Sequence, residues 1–204
     1  MLGLYADDSA YFTLSRRADL AVKMIQYVFD LLPEFLDKWR MAVNVSKTAA
    51  LLTGCQRIMP NQLRLIGQTV EWRTCVRYLS VHIDRSLRMI SQMDYVIQMS
   101  RTARAKVRPI LASRLPITTK IVILKSYICS RLNYTAPAWY ALCSELQRQR
   151  LQAQQNIGLR MFAGAGWYVK NDVIARDLKV ATLEDFIKVL ARRAFSHADA
   201  DLYT

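Results

Sequence analysis

Two adjacent carboxylates, Asp7 and Asp8, stand between short apolar runs in the opening segment MLGLYADDSAYFTL. Like charges at such range repel, and a turn gains little from holding both. A divalent cation resolves the repulsion. Magnesium takes carboxylate and phosphate oxygens, and a pair of such ions about 3.5 to 4 Å apart stabilises the attacking and leaving oxygens of a displacement at phosphorus. The chemistry indicated is nucleotidyl transfer. The plain alternative is an acidic turn kept for its solvation and backbone geometry.

A second chemical signal is charge. The 204 residues carry 29 basic and 16 acidic side chains, a net +13. Residues 85–160 hold 13 basic and 2 acidic groups, a net of +11, whereas 1–84 hold 10 and 8 and 161–204 hold 6 of each. So local an excess suits a phosphate backbone, because each neutralised phosphate releases condensed counterions; the plain alternative is a solvated helical face. At about 100° per residue, Arg101, Arg104 and Arg108 fall within about 60° of one another on a helix. Arg114, Lys120, Lys125 and Arg131 extend that surface. Trp139, Tyr140, Trp167 and Tyr168 are aromatic enough to stack on bases, although helix-borne aromatics are more often core.

The elements that must carry these groups follow from pattern. Residues 1–14 read as a β-hairpin with acids at its tip. In 18–41, Leu20, Val28, Leu31, Phe35 and Trp39 recur at helical spacing, with Pro33 kinking or dividing a helix that covers a sheet. Strand-like runs follow at 48–54, 62–66, 69–72 and 76–84, with a turn at Gly67 and Gln68. Beyond Asp84 the periodicity is helical over 88–111, 117–142 and 145–163. The stripe Ile117, Ile121, Leu124, Ile128 and Leu132 is the clearest, and a closing helix includes Leu183 to Phe195. Pro109, Pro116 and the GAG run at 164–166 punctuate these helices. The class is α+β followed by all-α, with a boundary near residue 85. The four cysteines form no CxxC pair and lie far from His82 and His197, which favours buried free thiols over zinc. No run of eighteen apolar residues occurs, so the chain reads as soluble and intracellular.

Taken together, these motifs resemble the reverse transcriptases of jockey-like non-LTR retrotransposons. Tyr5-Ala6-Asp7-Asp8 is similar to the catalytic YxDD hairpin, and a helix ending in Trp39 followed by Asn44, Lys47 and Thr48 is similar to the next palm motif. YLSVHID at 78–84 resembles the primer-grip hairpin, with Ser80 where the family usually has glycine. NYTAPAW at 133–139, LQAQQNIGLR at 151–160 and VKNDVIARDL at 169–178 extend the likeness over nearly the whole chain. The resemblance implies the C-terminal part of a palm at 1–84, a basic helical thumb at 85–163 and a C-terminal helical extension at 164–204.

By the same likeness, Asp7 and Asp8 are Mg2+ ligands, Asp7 the more direct, and Lys47 donates a proton to the leaving pyrophosphate. Tyr5, Ala6, Tyr78, Leu79, Arg101, Arg104, Arg108, Lys120 and Lys125 meet nucleic acid. The implied partners are an RNA template, a DNA primer and deoxynucleotides, with no membrane and a nuclear location. The family's remaining metal carboxylate, its fingers and its nucleotide-binding residues precede the YADD hairpin. The expectation is therefore a truncated element, inactive alone, with Leu4, Tyr11 and Phe12 uncovered at an unpaired edge and poor solubility as the result. A non-catalytic remnant that binds RNA or DNA through its basic helices is the alternative, and a purely structural protein is the third reading.

Overall fold

A computed structural model describes residues 2–5, 8–54, 59–111 and 115–201. The chain divides into two units, Met1–Leu87 and Arg88–Thr204. The first is mixed α and β, the second all helical, so the α+β class holds.

In the first unit, β1 (Leu2–Tyr5) and β2 (Asp8–Tyr11) form an antiparallel hairpin in which Tyr5 faces Asp8, so only residues 6 and 7 separate the strands. Helix α1 (Ala18–Trp39) follows. Three short strands, β3 (Ala49–Leu51), β4 (Leu63–Leu65) and β5 (Gln68–Arg73), make a sheet in the order β3-β5-β4, parallel between β3 and β5 and antiparallel between β4 and β5. The alternation along β4 and β5 turns Leu63, Leu65 and Val70 inward, where they join Phe29 and Ala50 in one core. Tyr11, Val22, Ile25, Leu32, Val45 and Trp72 pack around it.

Helix α1 does cover this sheet, but not with the stripe expected. Leu20, Leu31, Phe35 and Trp39 are exposed, while Ala18, Phe29 and Leu36 are buried on the opposite face. The helix is apolar on both sides, and spacing alone cannot say which side meets the strands. Nor does Pro33 divide it. One N–H bond is lost, and the flanking burial of Phe29, Leu32 and Leu36 holds the turns together. Gln26 adds a polar seam: its amide donates to Arg64 O and accepts from Arg64 N–H, both at 2.9 Å, satisfying the free edge of β4 as a neighbouring strand would. Tyr11, expected without cover, packs edge-on against Phe29 with ring centroids 6.0 Å apart. Phe12 is half exposed, and the Leu4 side chain lies outside the described residues.

The β4–β5 turn sits one residue earlier than expected, on Ile66 and Gly67, because Leu65 pairs with Gln68. Both turn residues have positive φ, 51° and 74°, as a tight two-residue hairpin requires.

The second hairpin, β6 (Cys75–Tyr78) and β7 (Val81–Asp84), has the same two-residue form, with Leu79 at φ 45° and Ser80 at φ 65°. The expectation that Ser80 occupies a backbone position suited to glycine is met. Ser80→Gly is expected to raise the stability of this unit by about 0.5 to 1 kcal/mol, read as a higher denaturant midpoint at unchanged slope. A lower midpoint would mean that the Arg77-to-Ser80 hydrogen bond, 3.3 Å in the structure, outweighs the backbone strain.

The second unit is built on α2 (Ile90–Leu111) and α6 (Glu145–Ala163), which pack together. Between them, the segment expected as one helix over 117–142 is α3 (Ile117–Ile123), a π-helical stretch Leu124–Cys129, α4 (Ser130–Asn133), α5 (Ala136–Trp139) and a 3-10 turn at Tyr140–Leu142. The break before α5 has a local cause: Pro137 offers no N–H to Asn133 and its ring crowds that carbonyl. Of the expected stripe, Leu124, Ile128 and Leu132 are fully buried, whereas Ile117 is exposed.

A capping box of Ser144 and Gln147 starts α6, and Gly164, at φ 63°, ends it. Helices α7 (Asn171–Asp177) and α8 (Leu183–Asp201) close the unit. Cys129 and Cys143 are buried and Cys75 half-buried, none of the three in a disulfide, and Cys55 lies outside the described residues. Burial pushes the Cys129 thiol up to about 11. Among the described residues no helix is long and apolar enough to cross a membrane.

Candidate functional site

The acidic site is built on the β1–β2 hairpin. Asp8 is the first residue of β2 and is exposed, so its carboxylate meets solvent where the hairpin turns. Ala6 and Asp7 lie outside the described residues, as does the side chain of Tyr5, whose backbone pairs with Asp8. A solvent-facing carboxylate fits a magnesium ligand shared with phosphate oxygens. Among the described residues no group of three or more His, Cys, Asp or Glu stands together.

Lys47 ends a 3-10 turn, Val45–Lys47, and is exposed. Its backbone N–H donates to Asn44 O at 3.1 Å, and Thr48 Oγ1 donates to the same carbonyl at 3.2 Å. Val45 packs on the core that also receives Tyr11. The hairpin bearing Asp8 and the turn bearing Lys47 thus rest on one apolar cluster. Tyr78 and Leu79 are half-buried on the second hairpin, whose β6 lies against β3.

The basic site belongs to the helical unit. Arg101 and Arg108 are exposed on α2. Arg104 is not: its guanidinium donates to Gln154 O at 3.1 Å and Gln154 Oε1 at 2.8 Å, tying α2 to α6. Burial, and secondarily the neighbouring charge of Arg101, push its pKa below the ordinary arginine value. Two of the three helix-face arginines are therefore open to a ligand, and the third holds the helices in place. Arg104→Ala is expected to cost about 2 kcal/mol of stability, since a charge-assisted bond is lost and Gln154 is left buried without its partner. Thermal unfolding checks this, and a change below about 0.5 kcal/mol, the usual range for surface substitutions, would return Arg104 to the solvent-facing set.

Lys125 is exposed within the π-helical stretch, and Lys120 is half-buried on α3. Arg131 is engaged locally, donating to Tyr127 O at 3.1 Å with its guanidinium 4.8 Å from the Tyr127 ring centre. Arg114 lies outside the described residues.

The aromatics divide sharply. Trp139 is fully buried, with its indole N–H on Tyr134 O at 3.1 Å, and Tyr140 is buried beside it. Trp167 and Tyr168 are 90% and 76% exposed.

Sequence reasoning missed the polar core of α6. Gln147, Gln154 and Gln155 are buried, and Gln155 donates to Ala181 O at 3.0 Å while Gln152 accepts from Leu183 N–H at 3.0 Å. The available signal was a helix rich in uncharged glutamine, whose amide can satisfy backbone groups at the cost of no buried charge.

Comparison with known proteins gives a consistent result. No family model matches the chain, and no solved structure does. It is 26% identical over 195 residues to the RNA-directed DNA polymerase from mobile element jockey of Drosophila melanogaster, covering 95% of this chain and 21% of that protein. It is 29% identical over 189 residues to the probable RNA-directed DNA polymerase from transposon X-element of the same species, covering 92% and 21%. With the jockey polymerase of Drosophila funebris the identity is 28% over 203 residues, 98% of this chain and 22% of that protein. The chain is thus similar along nearly its whole length to the RNA-directed DNA polymerases of the jockey and X-element mobile elements, and spans about a fifth of theirs.

Proposed function

We propose that this chain is the rear of a reverse transcriptase core from a non-LTR retrotransposon: the end of the palm over 1–84, a basic thumb over 85–163 and a helical extension over 164–204. The observation that carries the reading is the similarity, along nearly the whole of this chain, to two jockey polymerases and the X-element polymerase. The pairing of Tyr5 with Asp8 and the exposure of Asp8 are consistent with it. In the intact polymerase Asp7 and Asp8 hold Mg2+, Lys47 faces the leaving pyrophosphate, and the third carboxylate comes from the part of the palm that precedes the hairpin. The metal ions supply the charge that stabilises the attacking and leaving oxygens. The template is RNA, the primer DNA, and the place of work the nucleus, where a chromosomal target is found.

The chain by itself binds an RNA–DNA duplex through Arg101, Arg108 and the lysines near them. The concentration of positive charge in 85–160 also favours a second reading, a binding remnant without catalysis. The test is duplex binding across a salt series. The Arg101→Ala, Arg108→Ala double variant is expected to flatten the slope of log affinity against log salt by about two, one for each phosphate contact removed. An unchanged slope would take these arginines out of the interface. Binding that survives Asp7→Ala and Asp8→Ala belongs to both readings, and only primer extension separates them.

A further inference from the structure

The loop between α6 and α7 presents two adjacent aromatic rings to solvent on a backbone that is firmly held. Arg160, near the end of α6, donates to Gly166 O, to Val169 O at 2.8 Å and to Asn171 Oδ1 at 2.8 Å. Its guanidinium is thereby spent on shaping the loop rather than on any ligand. Val169 N–H closes a turn onto Gly166 O at 3.2 Å. Inside this clamp Trp167 and Tyr168 stand edge to face, ring centroids 6.2 Å apart and planes at 82°.

Gly166 makes room for the arrangement. A Cβ there would lie 2.5 Å from Tyr168 Cε1 and 3.0 Å from Cζ, so the Tyr168 ring rests directly on the glycine backbone. Trp167 keeps its faces open. Lys170 is exposed two residues after Tyr168, and residues 160–171, up to Asp172, contain no acid.

Large rings left in water forgo the stabilisation that burial gives, and a disordered loop would let them collapse onto the surface. Here the backbone is clamped from below and the rings stay out. Open π-faces beside a cation suit an unpaired nucleobase with its phosphate, which stacks without regard to base identity. We propose that Trp167 and Tyr168 form a stacking platform for single-stranded nucleic acid, with Lys170 meeting its backbone. The proposal rests on the reading of the chain as a polymerase segment that handles nucleic acid, and adds to it a site for strand that is not in duplex.

The test is fluorescence anisotropy of the full chain with a labelled single-stranded oligothymidylate and, separately, a labelled RNA–DNA duplex. The Trp167→Ala, Tyr168→Ala double variant is expected to lose affinity for the single strand by about tenfold or more, at unchanged salt slope, thermal unfolding and duplex affinity. Gly166→Ala, which displaces the Tyr168 ring without removing it, is expected to lose part of that. If the double variant binds the single strand as the parent does while Arg101→Ala, Arg108→Ala weakens duplex binding, the platform is refuted and the polymerase reading stands. An equal loss on single strand and duplex also overturns the platform, because no preference for unpaired bases remains. If the parent binds neither probe but binds phosphatidylcholine vesicles, both readings fall and the loop is a lipid contact.

Discussion

Exchanged for the matching region of the Drosophila melanogaster jockey polymerase, this chain is expected to support primer extension on an RNA template in Mg2+, and Asp7→Asn to slow it by at least ~1000-fold. The magnitude follows from the chemistry. A carboxylate shared by two ions stabilises developing charge by several kcal/mol, and each ~1.4 kcal/mol is a factor of ten in rate. Asp8→Asn is expected to cost less, because Asp8 heads a strand and faces solvent, where water can replace one oxygen ligand. Lys47→Ala is expected to fall between them at roughly 100-fold, the lower range for a positioned general acid. Single-turnover extension rates decide the matter. If Asp7→Asn extends primer within tenfold of the unsubstituted chimera, the YADD turn is not a metal site and the carboxylates serve only the turn.

The second large effect separates the two faces of α1. Phe29→Ala is expected to destabilise the first unit by about 3 to 5 kcal/mol, enough to unfold a marginal domain. Phe29 is 7% exposed, sits at the centre of the core with Ala50, Leu63, Leu65 and Val70, and carries the edge-on contact to Tyr11. Phe35→Ala, on the same helix and in the expected stripe, is expected to change stability by less than about 1 kcal/mol, since Phe35 is 52% exposed, its ring 6.3 Å from that of the exposed Trp39. Urea unfolding of the two variants makes the comparison directly. Equal losses would mean that the stripe of Leu20, Leu31, Phe35 and Trp39 is covered in the folded protein and that the sheet-facing assignment of α1 is wrong. Because Phe29 supports Tyr11, its loss is also expected to loosen the acidic hairpin, lowering activity in the chimera beyond what the lost stability explains.

Much of the local structure was legible in the residues. The opening hairpin follows from two strand-prone runs around a short polar turn, and the stop of α6 follows from the GAG run that contains Gly164. The glycine-like demand at Ser80 came from the family likeness, and Ser80 does have positive φ, as a two-residue hairpin turn needs. These are short-range matters, settled by backbone sterics and by hydrogen bonds between residues a few positions apart. The Ile66–Gly67 turn slipped by one because register depends on which of Leu63, Leu65 and Val70 can face the core together.

The likeness to jockey-type polymerases, the carboxylate pair and the concentration of charge in 85–160 were all determined by the sequence alone. Only the tertiary structure decided which groups remain available. Arg104, in line with Arg101 and Arg108 on the helix, is taken by Gln154 fifty residues away. Of two Trp-Tyr pairs identical in type, one is core and the other is held out by Arg160. Helix α1 turned its unmarked face to the sheet. In each case the deciding partner lies far along the chain, and periodicity reports only that a face is apolar or basic, never what packs against it.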